Sequence, residues 1–309
     1  MTAILTGTQL GLERSSAWLL GSRAQLGSAP LGRASDNVYV NAATGNLIVQ
    51  NTDEILVGRG PDAVINRTYN SLGTYAGDTD NWLHNGQRKL VLSSGTANAV
   101  GSIATLTDWD GSVVTFTFAT GVGYRAADKP YRDDTLTLVS NVFTWTEGKT
   151  RTVQKFDNAL GGRLLSAEDA DANIVTYTYD LATTAGKLIK VTTANSTTGQ
   201  TGFTTLVYGD NPLTSPAVEQ NLISLVTSYY DLVSATNKTL TRTLYSYDAS
   251  NRLEKVKVDL SPGDNSIADT NTYTTTYAYV GTTKQVASIA QTDGTLLAIT
   301  YDASGRVAS

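Results

Sequence analysis

The 309-residue chain has no cysteine, one methionine and one histidine. These absences exclude disulfides, thiolate zinc sites and a cysteine nucleophile, and they leave too few soft ligands for most other metal sets. No cofactor is expected, although a lack of cysteine does not by itself fix a compartment. Charge is also sparse. Lys and Arg number 23 against 28 Asp and Glu, a net charge of -5, and charged residues make up 17% of the chain. No basic run occurs, so a nucleic-acid surface, which needs clustered cations, is not expected. No apolar run is long enough to span a bilayer. The first residues, Met1-Thr2-Ala3-Ile4-Leu5-Thr6-Gly7, lack the basic region, apolar core and small-residue cleavage site of a general secretory signal. Export would then use a signal-independent route or a leader outside this sequence.

Strand-forming residues are plentiful. Threonine is the commonest residue and tyrosine (16) far outnumbers phenylalanine (5), a bias that favours strands over helices. The expected class is all-β. The strongest internal signal is a recurring phrase, Tyr245-Ser246-Tyr247-Asp248-Ala249-Ser250-Asn251-Arg252-Leu253, which returns as Ile299-Thr300-Tyr301-Asp302-Ala303-Ser304-Gly305-Arg306-Val307. A third copy, Tyr177-Thr178-Tyr179-Asp180, reaches Lys187-Leu188 after an insertion. Residues at i and i+2 share one face of a strand. The Asp can accept backbone N–H bonds that start a turn, and Asn or Gly tolerates the left-handed conformation that closes it. Each copy therefore encodes a β-hairpin, with Arg and Leu or Val beginning the return strand. Strand-closing tyrosines fall at Tyr179, Tyr208, Tyr247, Tyr279 and Tyr301.

Taken in order, residues 1–36 read as an N-terminal arm that packs Trp18 and its leucines on the body, with Glu13 to Leu20 as a helical alternative. From Val38 the pattern is extended: Val38-Tyr39-Val40 and Leu47-Ile48-Val49 flank a turn, and two more strands, Glu54 to Val57 and Ala63 to Ser71, surround a Gly-Pro turn. Thr alternates with large apolar residues at 115–118, 135–138 and 142–146. The spacing of Val218, Leu222, Leu225, Val226 and Tyr229 suits a helix, but its context among repeats assigns it to a strand.

The phrase Tyr-x-Tyr-Asp-x-x-Gly-Arg-Leu resembles the YD repeat of RHS (rearrangement hotspot) proteins. Val40-Asn41-Ala42-Ala43-Thr44-Gly45-Asn46-Leu47, with Arg67-Thr68-Tyr69-Asn70-Ser71, resembles the segment that opens an RHS repeat region. The likeness covers residues 37 to 309. It implies a spiralling ribbon of antiparallel β-hairpins, an open or partial RHS/YD-repeat shell that encloses a toxic C-terminal polypeptide or displays an adhesive surface. It divides the chain into an arm (1–36), an opening β-module (37–157) and YD hairpins (158–309). The RHS core motif, an autoproteolytic Asp site, is absent, and the sequence closes just inside a return strand, as expected of the first part of a longer reading frame. The resemblance implies a secreted or cell-surface location. The expected partners are the rest of a longer RHS chain or other copies of this one, with a glycan or cell-surface receptor as the alternative.

No enzymatic set is expected. The lone His84 sits in Asn81-Trp82-Leu83-His84-Asn85-Gly86 and reads as a solvated turn residue. Asp169-Ala170-Asp171-Ala172-Asn173 mimics a calcium loop but has Ile174 where the sixth-position Gly belongs, so it reads as a hairpin turn. The pairs Asp108 and Asp110, and Asp133 and Asp134, stand beside turn signals and read as structural. The repeat residues Tyr177, Tyr179, Asp180, Tyr245, Tyr247, Asp248, Asn251, Arg252, Tyr301, Asp302, Gly305 and Arg306 read as architecture. Trp82, Trp109 and Trp145 are the candidates for stacking on sugar rings, against the competing demand of packing.

Overall fold

Alternating apolar residues, left-handed turn residues and a scarcity of helix formers produce a chain built almost wholly of strands. The computed structural model describes residues 2–12, 15–16, 30–31, 33, 36–75, 78–127, 131–181, 186–194, 201–214, 221–266, 268 and 270–309. The alternative helix over 13–20, Trp18 and Val218 fall outside these, apart from Ser15 and Ser16.

Three groups of strands follow one another. The opening sheet holds β1 (Ala3–Leu5), β2 (Pro30–Leu31), β3 (Asp36–Asn41), β4 (Asn46–Leu56), β5 (Ala63–Asn70) and β6 (Trp82–His84), in the order β1-β3-β4-β5-β6 with β2 also on β3. The hairpin expected around residues 41–46 is present, with Val40 opposite Leu47 and Gly45 at φ +77°. The two strands expected over 47–49 and 54–57 form one continuous β4, because a bulge at Asp53 bends the strand without ending it.

The second group is β7 (Lys89–Ser94), β8 (Ile103–Thr107), β9 (Val113–Ala119), β10 (Gly123–Ala126), β11 (Thr135–Val139), β12 (Val142–Thr146), β13 (Val153–Asp157) and β14 (Arg163–Glu168). Each strand pairs with the next, and β14 returns to β7 at Arg163 opposite Lys89, closing a small barrel. Gly162 makes the closure sterically feasible. It sits at φ +79°, its carbonyl accepts from the Leu90 N–H at 2.8 Å, and a Cβ there would lie 2.5 Å from the Leu90 oxygen.

The third group continues as an antiparallel ribbon: β15 (Ile174–Tyr179), β16 (Leu188–Ala194), β17 (Thr201–Gly209), β18 (Asn221–Asp231), β19 (Thr236–Tyr247), β20 (Leu253–Asp259), β21 (Thr272–Tyr279), β22 (Val286–Gln291) and β23 (Leu296–Ala298). Leu222, Leu225, Val226 and Tyr229 all lie on β18, the strand that their context demanded.

Two large cores result. Thr faces solvent and apolar residues face inward in the barrel, whose core joins Leu90, Phe116, Tyr124, Leu136, Phe143, Trp145 and Phe156. The other core lies between the opening sheet and the ribbon, and unites Val38, Leu47, Ile65, Tyr69 and Trp82 with Val191, Leu225, Tyr245, Val256, Tyr277 and Ile289. These cores group the chain differently from the division at 157. The opening sheet packs with the hairpins, whereas residues 89–168 form a unit of their own that includes β14.

Candidate functional site

The repeat tyrosines form a relay along the ribbon. Each pairs across its own hairpin with the apolar residue that starts the return strand: Tyr179 with Leu188, Tyr208 with Leu222, Tyr247 with Leu253, Tyr279 with Val286 and Tyr301 with Val307. The carbonyl of that apolar residue accepts from the next tyrosine. Tyr208 donates to Leu188 at 3.0 Å, Tyr247 to Leu222 at 2.9 Å, Tyr279 to Leu253 at 2.8 Å and Tyr301 to Val286 at 2.9 Å. At Tyr179, Tyr208, Tyr247 and Tyr279 the register slips by a bulge, which adds local twist to each of these four hairpins. The carboxylate of Asp248 accepts from the Ser250 and Arg252 N–H groups at 2.9 Å each, and Asp302 does the same for Ser304 and Arg306 at 2.8 and 3.0 Å. Asn251 and Gly305 hold the left-handed positions at φ 59° and 75°.

After two of these turns the cation stacks on the next tyrosine. Lys187 lies 4.8 Å from the Tyr208 ring and Arg252 4.5 Å from that of Tyr279, while Arg252 also pairs with Asp248 at 2.7 Å. Arg163 stands in the same relation to Tyr179 at 5.5 Å. This arrangement exposes a copy that the sequence reading missed. Phe156-Asp157 opens a hairpin whose return begins Gly162-Arg163-Leu164, with Phe156 opposite Leu164 beside a bulge. Phe in place of Tyr and a longer turn hid it. Substituting Tyr279 by Phe is expected to cost about 1–3 kcal/mol, because the Leu253 carbonyl and the Trp82 indole N–H, 3.1 Å from the same hydroxyl, both lose their partner. Urea denaturation reads the loss as a lower midpoint at unchanged slope.

A polar cluster also missed from sequence pins the opening sheet to the ribbon. Arg67, 4% exposed, donates to both oxygens of Asp53 at 2.8 and 3.0 Å and to the Tyr277 hydroxyl at 2.9 Å. Asp36, fully buried, lies 3.7 Å away and accepts from Asn51 at 2.8 Å. Tyr245 donates to Asp53 at 2.8 Å, and Thr241 donates to Glu54. Burial raises the pKa of Asp36 and of Glu54. Burial also works against the charge on Arg67, but Asp53, Tyr277 and Asp36 outweigh it and hold the guanidinium firmly charged. A sequence clue existed: Ala63, Ile65, Arg67 and Tyr69 share one strand face, so Arg67 occupies a core-facing place in an apolar alternation.

Beside this cluster a cavity of about 630 Å³ opens between sheet and ribbon, lined by Asp53, Asp80, Trp82, His84, Lys187, Tyr208 and Tyr247 among others. His84 is therefore not a solvated turn residue. It ends β6 opposite Arg67, its Nδ1 accepts from the Gly86 N–H at 3.1 Å, and burial lowers its pKa to about 4, leaving it neutral. The hydroxyls of Tyr208, Tyr245 and Tyr247 on the cavity wall are already engaged by the wall itself.

The other candidates occupy structural places. Trp82 is packed between Tyr69 and Tyr277, with ring centroids at 5.2 and 4.8 Å and the Arg67 guanidinium over its face at 4.5 Å. Trp145 lies in the barrel core and donates to Asp134 at 2.8 Å. Neither offers a free face to a sugar, because packing has taken both; Trp109 alone of the three stays half-exposed. Asp108 pairs with Arg88 at 3.1 Å, and Asp110 accepts from Ser112 and Leu12 N–H groups, tying the N-terminal segment to the barrel. Asp134 also accepts from the Gly148 N–H. Asp169 accepts from the N–H groups of Asp171 and Asn173 and from the Asn173 side chain in the β14–β15 turn. Among the described residues no group of three or more His, Asp or Glu is placed to hold a metal ion.

A family model described as a domain of unknown function, DUF6531, matches residues 38–116, the opening sheet and the first barrel strands. A stretch of 146 residues, 46% of the chain, is 30% identical to the tRNA3(Ser)-specific nuclease WapA of Bacillus spizizenii and spans 6% of that protein. The crystal structure of TcdB2-TccC3 shares the fold over 82% of this chain and 17% of its own, with a TM-score of 0.52 at 13% identity. The chain thus spans a small fraction of the proteins it matches. With the Tyr-x-Tyr-Asp hairpins running on from the matched opening segment, these likenesses fit an RHS, or YD-repeat, protein.

Proposed function

We propose that this chain forms part of the wall of a secreted or cell-surface RHS shell that encloses or scaffolds a toxic polypeptide. The observation that carries this reading is where the repeat spends its polar groups. The relay hydroxyls bond to backbone, the turn carboxylates to N–H groups and the stacked cations to rings, so the repeated residues build a curved wall and are not gathered for chemistry. The identity with a protein named as a tRNA-specific nuclease supports a toxin association, with the rest of a longer chain or other copies as partners. No helix among the described residues is long and apolar enough to cross a membrane.

In the natural full-length product, the enclosed segment is expected to resist protease under native conditions and to be cut once denaturant opens the wall. Cleavage at equal rates in both conditions rejects enclosure. The glycan-binding alternative rests on Trp109, and glycan-array binding that disappears in Trp109→Ala with the fold intact would favour it over enclosure.

A further inference from the structure

The return residues of successive YD hairpins are served on two sides. Their carbonyls accept from the relay tyrosines, while their N–H groups turn to the opening sheet, which supplies one acceptor apiece: the Asp80 carboxylate for Leu253 at 2.8 Å, the Tyr69 hydroxyl for Val286 at 3.0 Å and the Gly45 carbonyl for Val307 at 2.9 Å. Leu222 breaks the series. It occupies the same place in its hairpin, opposite Tyr208 beside a bulge, and its carbonyl accepts from Tyr247, but among the described residues no group of the opening sheet bonds to it. Leu222 lines the cavity instead, where the sheet stands away from the ribbon.

The carboxylates on the cavity wall are already committed. Asp53 is held through both oxygens by Arg67, Asp80 accepts an N–H at each oxygen, and Asp78 accepts from the Asn81 N–H and pairs with Lys284 at 3.4 Å. His84 is different. Burial keeps its ring neutral and its Nδ1 accepts from the Gly86 N–H, so the ring proton sits on Nε2, which bonds to no described residue. Lys187 adds a positive charge close by: its ammonium lies 4.8 Å from the ring of Tyr208, the residue opposite Leu222, and acts on His84. Asp210 acts on the same ammonium but does not line the cavity.

We propose that this cavity is a binding site for an acidic peptide, whose Asp or Glu carboxylate takes the N–H of Leu222 and the Nε2–H of His84 beside the Lys187 ammonium. It would serve Leu222 as the Asp80 carboxylate serves Leu253 one hairpin further on. A carboxylate accepts several bonds at once, and such charge-assisted bonds are roughly twice as strong as neutral ones. The cavity, about 630 Å³, is far larger than one carboxylate, so residues flanking the acid enter with it, against Leu188, Tyr208 and Tyr247. The site is built by this chain alone and stands whether or not the shell encloses a toxin.

The single histidine of the chain makes the test direct. In NMR of the whole chain, the His84 imidazole resonances are expected to shift saturably as a capped tripeptide with a central Glu is added. The same peptide with Gln, and acetate alone, are expected to bind at least roughly tenfold more weakly. Lys187→Gln should weaken the Glu peptide by a similar factor, whereas Lys257→Gln, which removes the same charge from an exposed place on β20, should leave its affinity unchanged. If Lys187→Gln does not fold, the comparison of peptides decides. A His84 signal that does not move or does not saturate, equal affinity for the Glu peptide and for either the Gln peptide or acetate, or equal behaviour of the two lysine variants overturns the site.

Discussion

Replacing Arg67 by Met is expected to destabilise the chain by about 3–5 kcal/mol, the usual cost of stranding a buried charge after its partner is removed. The effect is large because one guanidinium serves four neighbours. It bonds Asp53 through Nε and Nη2, bonds the Tyr277 hydroxyl through Nη1, lies 3.7 Å from Asp36 and covers the Trp82 ring. Met fills much of the volume but leaves Asp53, 3% exposed, and Asp36, 0% exposed, without a counter-charge. Asp36, whose pKa burial already raises, is then accommodated most cheaply by taking up a proton. Without Arg67 the Asp36 pKa rises further in the folded state, and for a raised carboxyl the stability it supports is present at low pH and lost as pH increases. Arg67→Met is thus expected to be more stable near pH 5 than near pH 8. Adding Asp36→Asn and Asp53→Asn should recover most of the loss and remove that pH dependence. Urea denaturation of the three proteins at both pH values checks each part. A loss under 1 kcal/mol in the single variant would mean that Tyr245 and Asn51 alone satisfy the carboxylates.

The relation between sequence and structure explains why this cluster was harder to see than the repeats. Tyr247-Asp248 and Tyr301-Asp302 declare their hairpins because every requirement is local: an acceptor for N–H groups two and four residues on, and a left-handed residue at Asn251 or Gly305. The strand on β18 was legible for a related reason, since its neighbours are hairpins and a helix there would interrupt the ladder. The tyrosine relay was only half legible. The positions 179, 208, 247, 279 and 301 can be read off the chain, but each acceptor carbonyl lies on a different hairpin, 15 to 26 residues away in the described bonds. Arg67, Asp53 and Tyr277 meet across more than 200 residues. Asp53 lies two residues after Asn51, the residue paired with Arg67, so strand alternation places it on the same face, but nothing local says that Tyr277 will meet them there. The grouping of the opening sheet with the ribbon is long-range in the same sense. The family resemblance implied an opening module through residue 157, whereas burial of Leu47, Ile65 and Trp82 against Leu225, Val256 and Ile289 is decided by the path of the ribbon. His84 misled because its neighbours, Asn85 and Gly86, are turn residues. They do form a turn, but one whose imidazole lies on a cavity wall.

Trp82 provides the other large effect and separates architecture from ligand binding. Trp82→Ala is expected to lower stability by about 3–5 kcal/mol, the range for removing a large buried aromatic. Trp82 is 7% exposed, it contacts Tyr69 and Tyr277, and its indole N–H donates to Tyr279, so truncation leaves a void at the junction of the opening sheet and two hairpins. The Arg67 guanidinium loses the ring it covers at the same time, which couples this substitution to Arg67→Met. The two losses should therefore add to less than their sum, because the contact between Arg67 and Trp82 can be removed only once. Trp82→Phe keeps most of the apolar contact but not the donor, and is expected to fall between the parent and Ala. Trp109→Ala, on a half-exposed turn residue, is expected to change stability by no more than about 0.5 kcal/mol. Thermal and urea unfolding of the three variants distinguishes the roles. If Trp82→Ala were as stable as the parent, the ring would not be part of the core and its stacking face would again be open to a ligand. If it unfolds as expected, any loss of binding in that variant reports on the wall and not on a sugar contact.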